Sequence, residues 1–211
     1  MRKFGELELE SLTAGPLYTN TYLLSNGGES ILIDSGTGHM EIMEKLSLHG
    51  RNIKAFIMTH GHFDHIYDAM ELRRKLGCQI MISGNDSEIM EWSYSVSERY
   101  MGNSIEPLSV DRFIDDGDTI ALGNESVKVM GLPGHTPGSI GLLAGPLFFT
   151  GDVLFRGTIG RTDVGGSMES MKKSLMNISE LDHDLLVLPG HGPETDIKSE
   201  ITENPFMKDL Q

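Results

Sequence analysis

The sequence predicts an α+β domain in which apolar β-strands alternate with amphipathic helices. Short apolar runs of strand length recur along the chain, while other segments carry apolar residues at helical spacing. Glycine-containing turns separate most of these segments. At 211 residues and 38% hydrophobic content the chain can bury a sizeable core, and we expect residues 1–211 to form a single domain.

The first third of the chain is predicted to contain a strand, a hairpin and a helix, in that order. Residues 7–11 alternate between apolar and polar side chains, which predicts a half-buried strand. Two apolar runs, 21–24 and 31–33, flank an Asn-Gly-Gly turn and predict a hairpin. Residues 38–48 have apolar side chains at helical spacing before Gly50, which predicts an amphipathic helix with a glycine C-cap.

The later elements are predicted from the same two periods. Strands are expected over 53–58, 79–82, 119–122, 126–130, 139–143, 147–150 and 185–188, and helices over 64–76 and 167–178, with a short polar helix near the C-terminus. Residues 84–116 begin helically and carry aromatic and methionine side chains that either form a lid over a site or cover the core. Helical spacing favours core cover.

Charge and composition limit the classes of function. The formal charge of −14 argues against general nucleic-acid binding, which depends on Lys and Arg neutralising phosphates. No apolar run is long enough to span a membrane and no apolar segment follows the N-terminus, so we expect a cytoplasmic protein. Cys78, as the single cysteine, excludes an internal disulfide and is expected in the core. A homodimer is compatible with the sequence, although no motif predicts it.

The most informative stretch is 59–65, Thr-His-Gly-His-Phe-Asp-His, directly after a predicted buried strand. Neutral imidazole and carboxylate are ligands suited to zinc, iron or manganese. His60 and His62 would point to opposite faces of a regular strand, so sharing a metal requires the chain to curve, which Gly61 permits. Asp64 could instead cap the following helix, but its histidine neighbours favour a ligand role.

Three further ligand candidates, His135, Asp152 and His191, lie at predicted strand ends flanked by glycine or proline. The two histidines occur in a repeated Leu-Pro-Gly-His sequence, at 132–135 and at 188–191. Strand ends on one edge of a sheet converge readily, so these residues are expected to meet the 59–65 cluster. The remaining histidines are expected on the surface: His39, His49 and His183.

Seven ligands exceed what one tetrahedral metal can bind, so the pattern predicts two divalent ions. His60, His62 and His135 would bind the first ion, Asp64, His65 and His191 the second, and Asp152 would bridge them. The nitrogen-rich donor set favours zinc, with iron or manganese as alternatives. A water shared by two such ions becomes a hydroxide nucleophile near neutral pH. Asp64 and Asp152 are therefore the predicted catalytic residues.

The motif at 60–65, followed by His135, Asp152 and His191 in that order, resembles the metallo-β-lactamase superfamily. This resemblance covers nearly the whole chain and implies a four-layer αββα sandwich of two mixed β-sheets flanked by helices. Within the superfamily, residues 150–163 are similar to short glyoxalase II-like proteins, which are hydroxyacylglutathione hydrolases.

The glyoxalase II resemblance implies a thioesterase whose partner is a small-molecule thioester such as S-lactoylglutathione, rather than a nucleic acid or a membrane. Asp34 matches the family's buried acidic position and is expected to orient an imidazole ligand. From the length of the sequence we expect no counterpart of the additional C-terminal helical domain of full-length glyoxalase II, which contacts glutathione. Arg161 and Asp163 stand where lysine and tyrosine are usual; Arg161 could bind a substrate carboxylate or pair with an aspartate.

Other activities stay open at this stage. Persulfide dioxygenases share the 60–65 motif and a Gly-Arg-Thr-Asp run, and they hold one iron through the equivalents of His60, His135 and Asp152. A lactone or other ester metallohydrolase on the same fold is a second alternative. A non-catalytic metal-binding protein would be expected to have lost at least one ligand, and all seven are present in the sequence.

Overall fold

The computed structural model describes residues 1–208 and residue 210 of the chain. Two large β-sheets pack face to face, and helices cover the outer face of each. The layers therefore follow the order αββα, which is the α+β arrangement that the sequence predicted. Within the described residues, no helix combines the length and the apolar character that crossing a bilayer requires.

The first sheet contains seven strands in sequence order. They are β1 (Arg2–Phe4), β2 (Leu7–Ala14), β3 (Thr19–Asn26), β4 (Glu29–Ile33), β5 (Asn52–Ile57), β6 (Gln79–Ile82) and β7 (Arg112–Phe113). Strands β1 to β4 pair antiparallel, whereas β4 to β7 pair parallel. The carboxyl ends of β4, β5 and β6 therefore lie along one edge, where sites of α/β sheets are commonly assembled.

The second sheet contains six strands in the order β15-β14-β11-β10-β9-β8. The strands of this half of the chain are β8 (Thr119–Leu122), β9 (Glu125–Gly131), β10 (Ile140–Ala144), β11 (Leu147–Gly151), β14 (Leu186–Pro189) and β15 (Thr195–Asp196), with β12 (Leu154–Phe155) and β13 (Thr158–Ile159) forming a separate ribbon. Strands β11 and β14 pair parallel, and the other pairs are antiparallel. As a result, β9, β11 and β14 all end at the same edge.

The helices divide between the two outer layers. Helices α1 (His39–Lys45), α2 (Phe63–Ile66), α3 (Ala69–Leu76) and α4 (Ser87–Met101) cover the first sheet, and α5 (Met168–Ser179), α6 (Ile197–Glu203) and α7 (Pro205–Lys208) cover the second. A short 3₁₀ turn, Gly84–Asp86, precedes α4. Strand alternation explains the layers, because successive side chains of a strand face opposite sides of its sheet. Thus Phe149 lies between the sheets, whereas Phe148 packs under α5.

Two predicted helices end differently from expectation. Helix α1 stops before Gly50, because the amides of Ser47 and Leu48 donate to the carbonyls of Glu44 and Met43 in a Schellman motif. Ser47, with a φ of 48°, occupies the left-handed position that was expected of Gly50. This ending buries Leu48 against Met43.

The predicted helix 64–76 is two helices, α2 and α3, with a break before Asp68. The Asp68 carboxylate accepts hydrogen bonds from the backbone amides of Gly38 and His39 at 2.6 and 2.8 Å. The break therefore coincides with a cap on the N-terminus of α1. His39 is consequently half-buried beside Asp68, not on the surface, whereas the other two predicted surface histidines, His49 and His183, are exposed. Cys78 is buried, as expected.

Residues 84–116 are both core cover and the wall of a cavity. Met90 is buried, and Tyr94 and Met101 pack against the core, so part of the aromatic and methionine set covers the core as expected. Trp92 and Tyr100 on the same helix remain exposed and line a cavity.

The carboxylate of Asp86 joins the start of α4 to two loops at the edge of the sheets. It accepts hydrogen bonds from the backbone amides of Gly61 and Gly138, at 2.7 and 2.6 Å, and from the Thr136 hydroxyl at 2.8 Å. Asp86 is fully buried, and burial raises its pKa. Three donors to one buried carboxylate fix the loops relative to each other.

We predict that Asp86→Asn lowers the free energy of unfolding by about 1–3 kcal/mol. An amide has a single oxygen acceptor, so its NH₂ group would face one of the backbone N–H donors. Chemical denaturation measures the change. Asp184→Asn, at an exposed site with the same loss of charge, is the control; equal midpoints for the two variants would contradict the structural role of Asp86.

Candidate metal centre

All seven predicted metal ligands lie together where strands of the two sheets end. His60 and His62 follow β5, Asp64 and His65 belong to α2, and His135, Asp152 and His191 follow β9, β11 and β14 respectively. The side chains are buried except for His191, which is half-buried. The topology thus brings residues as far apart as 60 and 191 into one cluster.

The first group of donors consists of three imidazoles: His60, His62 and His135. Their ligand atoms lie within 4.8 Å of one another, and His62 Nδ1 is 2.8 Å from His135 Nε2. Burial lowers the pKa of His62 to about 4 and that of His135 to about 3, and it also lowers the pKa of His60. The imidazoles are therefore neutral, which is the form that binds metals.

The second group consists of Asp64, His65 and His191. His191 Nε2 lies 3.1 Å from Asp64 Oδ2 and 3.2 Å from His65 Nε2. Burial opposes charge on His65, but the carboxylates of Asp152, Asp34 and Asp64 outweigh it and raise its pKa to about 10. Burial likewise opposes charge on Asp64, yet His65 and His191 hold its pKa below the usual value. The three carboxylates around His65 favour positive charge at this place, either a proton or a metal cation.

Asp152 lies between the two groups of donors. Its Oδ2 is 3.6 Å from His135 Nε2 in the first group and 3.4 Å from His191 Nε2 in the second, while its Oδ1 is 3.4 Å from His65 Nε2. Burial is the main cause that raises the pKa of Asp152 to about 6. A carboxylate in this position can contribute one oxygen to each group.

The donors fit a metal centre by a test independent of their spacing. Among the described side chains, three buried polar atoms have no hydrogen-bond partner, and two of them, His60 Nε2 and Asp152 Oδ1, belong to the cluster; the third is Ser35 Oγ. Buried polar atoms are almost always paired, because an unpaired one costs free energy. A metal ion could bind both of these unpaired atoms, one a nitrogen and the other an oxygen. The surrounding histidines and aspartates are ligands that zinc, iron or manganese accepts.

Backbone carbonyl groups of one loop fix the orientation of two imidazoles. His135 Nδ1 donates to the Arg161 carbonyl at 2.7 Å, and His62 Nε2 donates to the Val164 carbonyl at 3.2 Å. These bonds leave His135 Nε2 and His62 Nδ1 free of protons and directed into the cluster. Such outer hydrogen bonds set the tautomer of a ligating histidine.

Asp34 orients the other side of the cluster, in the position expected from the sequence. Its Oδ2 accepts from His65 Nδ1 at 2.9 Å and from the Thr59 hydroxyl at 2.8 Å, while its Oδ1 accepts from the Thr59 amide. The Thr59 hydroxyl lies 3.1 Å from His60 Nδ1, which can donate to it. Asp34 has a φ of 53°, a left-handed conformation that is uncommon outside glycine. A single carboxylate thus orients His65 directly and His60 through Thr59.

Two glycines are needed because other groups approach them closely. A Cβ on Gly61 would lie 3.0 Å from Met90 Cγ, so this glycine admits α4 beside the turn instead of supplying the unusual backbone angle that we expected. A Cβ on Gly190 would overlap Asp152 Oδ1. Gly190, the glycine in the second copy of the Leu-Pro-Gly-His repeat, is therefore required because its loop passes directly against the cluster.

The alternative roles of Asp64 and Arg161 can now be compared with the structure. Asp64 makes no capping bond, since His62 occupies the N-cap of α2 and the Asp64 carboxylate faces His191 and Thr19. The Arg161 side chain is exposed and forms two 2.7 Å hydrogen bonds with Asp163, which is the aspartate pairing considered from the sequence. Arg161 also lines the cavity beside the cluster.

Sequence reasoning did not identify Thr19, Thr59 or Asp86. The Thr19 hydroxyl donates to Asp64 Oδ2 at 3.3 Å. Thr59 adjoins the histidine motif and could have been found by its position, but the other two residues come from remote segments with no local signal.

Comparisons with known proteins agree with this geometry. Residues 14–191 match the metallo-beta-lactamase superfamily. The hydroxyacylglutathione hydrolase GloC of Haemophilus influenzae is 34% identical over 182 residues, covering 83% of this chain and 86% of GloC.

Two solved structures share the fold. The BLEG-1 B3 metallo-beta-lactamase is 30% identical, covers 95% of this chain and 99% of its own, and has a TM-score of 0.85. TTHA1623, solved in a di-iron-bound form, is 32% identical, covers 93% and 99%, and has a TM-score of 0.83. With its αββα layers and its cluster of histidines and aspartates at the joined edge of the two sheets, the chain belongs to the metallo-beta-lactamase superfamily.

Proposed function

We propose that this chain is a metal-dependent hydrolase that holds two divalent ions and cleaves a small-molecule thioester, with S-lactoylglutathione as the reference substrate. The observation that carries the proposal is the position of Asp152 between two groups of donors. A mononuclear centre held by His60, His135 and Asp152 would leave Asp64, His65 and His191 without a metal to bind. The similarity to GloC supports a thioester, and the di-iron form of TTHA1623 supports a pair of ions, with iron an alternative to zinc.

Each of the seven residues has a proposed role in this centre. His60, His62 and His135 would hold one ion and Asp64, His65 and His191 the other, with the Asp152 carboxylate between the two groups. When bound, divalent ions lower the pKa of water and polarise a carbonyl oxygen, which is the chemistry that ester and thioester hydrolysis requires. Asp64, fixed by the Thr19 hydroxyl, is the carboxylate placed to hold and direct a proton of the attacking water.

The residues around the cavity support hydrolysis by activated water rather than by a covalent intermediate. The described residues that line the cavity include no serine, threonine or cysteine. Cys78 is buried in the core behind the first sheet, and burial raises the pKa of its thiol to about 11, so it is not a nucleophile for this reaction.

We predict that His62→Ala and Asp152→Ala each abolish thioester hydrolysis while the protein remains folded. His62 belongs to the first group alone, so its loss should reduce the metal content toward one ion per chain, whereas loss of Asp152 removes the connection between both groups. Elemental analysis, circular dichroism and a thioesterase assay measure these effects. Full retained activity in either variant would refute the ligand assignment.

Metal content also separates the hydrolase from the persulfide dioxygenase considered from the sequence. Two ions per chain with turnover of thioesters supports the proposal. One iron per chain, with oxygen uptake on glutathione persulfide and no thioester turnover, would replace it. Hydrolysis confined to lactones or other oxygen esters would keep the two-ion centre and change the substrate.

We predict that Asp34→Asn weakens metal binding about 10- to 100-fold, which is the usual cost of removing an outer partner of a ligand. Asparagine tolerates the left-handed backbone conformation at this position, so the change mainly affects the hydrogen bonds to His65 and Thr59. Competition with a chelator measures the affinity. Asp163→Asn, which removes an exposed carboxylate near the cavity, should leave the metal affinity unchanged. An unchanged metal affinity in Asp34→Asn as well would rule out the orienting role of Asp34.

A further inference from the structure

A cavity of about 360 Å³ opens beside the proposed metal centre. Four of the proposed ligands line it: His62, Asp64, His135 and Asp152. The rest of the lining comes from the loop after β2, from α2, from α4 and from the loop before α5: Leu17, Phe63, Trp92, Tyr100, Arg161 and Val164. All of this second set except Arg161 are apolar or aromatic.

Phe63, Trp92 and Tyr100 form a continuous surface, which we name the aromatic wall. The rings of Phe63 and Tyr100 are stacked, with centroids 5.4 Å apart and planes 8° apart. Trp92 lies 6.1 Å from Phe63 and contacts the His62 ring edge-on at 5.7 Å. The aromatic wall therefore begins at a proposed metal ligand and extends outward along α4.

Much of this apolar surface is exposed to solvent. Trp92 is 36% exposed, Tyr100 is 58% exposed, and Leu17 on the opposite side of the cavity is 45% exposed. Large apolar side chains scattered singly over a surface need no explanation, but a cluster around one concave site indicates binding of an apolar group. A ligand that covered this cluster would gain free energy from the removal of apolar area from water.

Away from the proposed metals, the described lining of the cavity offers little charge to a strongly anionic ligand. Arg161 is the cation in the lining, and both of its hydrogen bonds to Asp163 form a closed pair. The Arg99 guanidinium lies 5.8 Å from the Tyr100 ring centroid but does not line the cavity. Asp64 and Asp152 add negative charge to the inner end, where the proposed metals would offset it.

We propose that the aromatic wall binds an uncharged, apolar substituent, aryl or branched aliphatic, of the thioester or ester whose carbonyl group lies at the metal centre. This inference rests on the proposed hydrolase function and replaces its reference substrate, S-lactoylglutathione, by a thioester or ester that carries an apolar substituent. The substituent could belong to the acyl side or to the thiol side, since the chemistry that the wall recognises is the same. A small polar acyl group on a polar thiol would leave the wall in water.

The kinetic test compares three thioesters with the zinc-loaded protein. S-lactoyl-N-acetylcysteamine is polar on both sides, S-cyclohexylacetyl-N-acetylcysteamine is apolar on the acyl side, and the benzyl thioester of lactic acid is apolar on the thiol side. We expect kcat/KM to be about tenfold higher or more for one apolar substrate than for the first, as expected for burial of such a group. The apolar substrate that is preferred shows whether the aromatic wall contacts the acyl side or the thiol side of the thioester.

Variants test whether the aromatic wall causes this preference. Trp92→Ala and Tyr100→Ala should each reduce kcat/KM for the preferred apolar substrate about tenfold more than they reduce kcat/KM for the polar substrate. Phe206→Ala removes an exposed aromatic side chain from α7 and is the matched control, expected to leave all three values unchanged.

Binding can be measured without turnover because Trp92 is the single tryptophan of the chain. Its fluorescence should change saturably on titration with cyclohexylacetamide, a neutral and stable probe, and should not change with lactamide. Tyr100→Ala keeps the reporter and should weaken the binding of the probe about tenfold. The titration is done with the metal-free and the zinc-loaded protein.

The outcomes separate this inference from the proposed function. Turnover with equal kcat/KM for the three thioesters would overturn the apolar pocket and leave the hydrolase intact. A saturable, Tyr100-dependent fluorescence change without turnover of any ester or thioester would overturn the hydrolase and support the pocket. A flat titration in both metal states would overturn the pocket regardless of the kinetics.

Discussion

The structure depends on holding seven ionisable side chains in one buried volume at the joined edge of two sheets. Burial alone disfavours this, because it makes charged groups costly and lowers the pKa of His62 to about 4. Hydrogen bonds on the outer side hold the cluster. The imidazoles and Thr59 donate them to the Asp34 carboxylate and to the carbonyl groups of the loop that contains Arg161. The orphaned atoms on its inner side are what a pair of cations would satisfy.

Two carboxylates that are not proposed ligands, Asp34 and Asp86, position different parts of the centre. Asp34 lies directly after β4 and orients the imidazoles of His65 and, through Thr59, His60. Asp86 lies before α4 and fixes the backbones of the loops that carry His62 and His135. Asp34 therefore controls side-chain direction and Asp86 controls backbone position, and α4, which Asp86 precedes, also carries Trp92 and Tyr100 of the aromatic wall.

Much of the fold could be predicted from the sequence because its signals are local. Residues 79–82 and 119–122 are strands with the predicted bounds, since their apolar side chains alternate or form a short run between turns. The short strands β1, β7, β12, β13 and β15 were missed, because two or three residues carry no measurable period. The break between α2 and α3 was missed because it depends on Asp68 capping a helix from another part of the chain.

The sequence by itself determined the identity of the seven candidate ligands and the order in which the chain supplies them, because residue type and spacing define what can bind a metal. Only the tertiary structure decided which nitrogen of His62 faces the cluster, that Arg161 pairs with Asp163, and that Trp92 and Tyr100 line a cavity. The His62 orientation and the cavity depend on contacts between segments tens of residues apart, whereas Arg161 and Asp163 are two residues apart and pair only because both side chains turn toward each other. The local sequence pattern shows which chemistry a residue can perform, whereas tertiary packing decides which groups its side chain contacts.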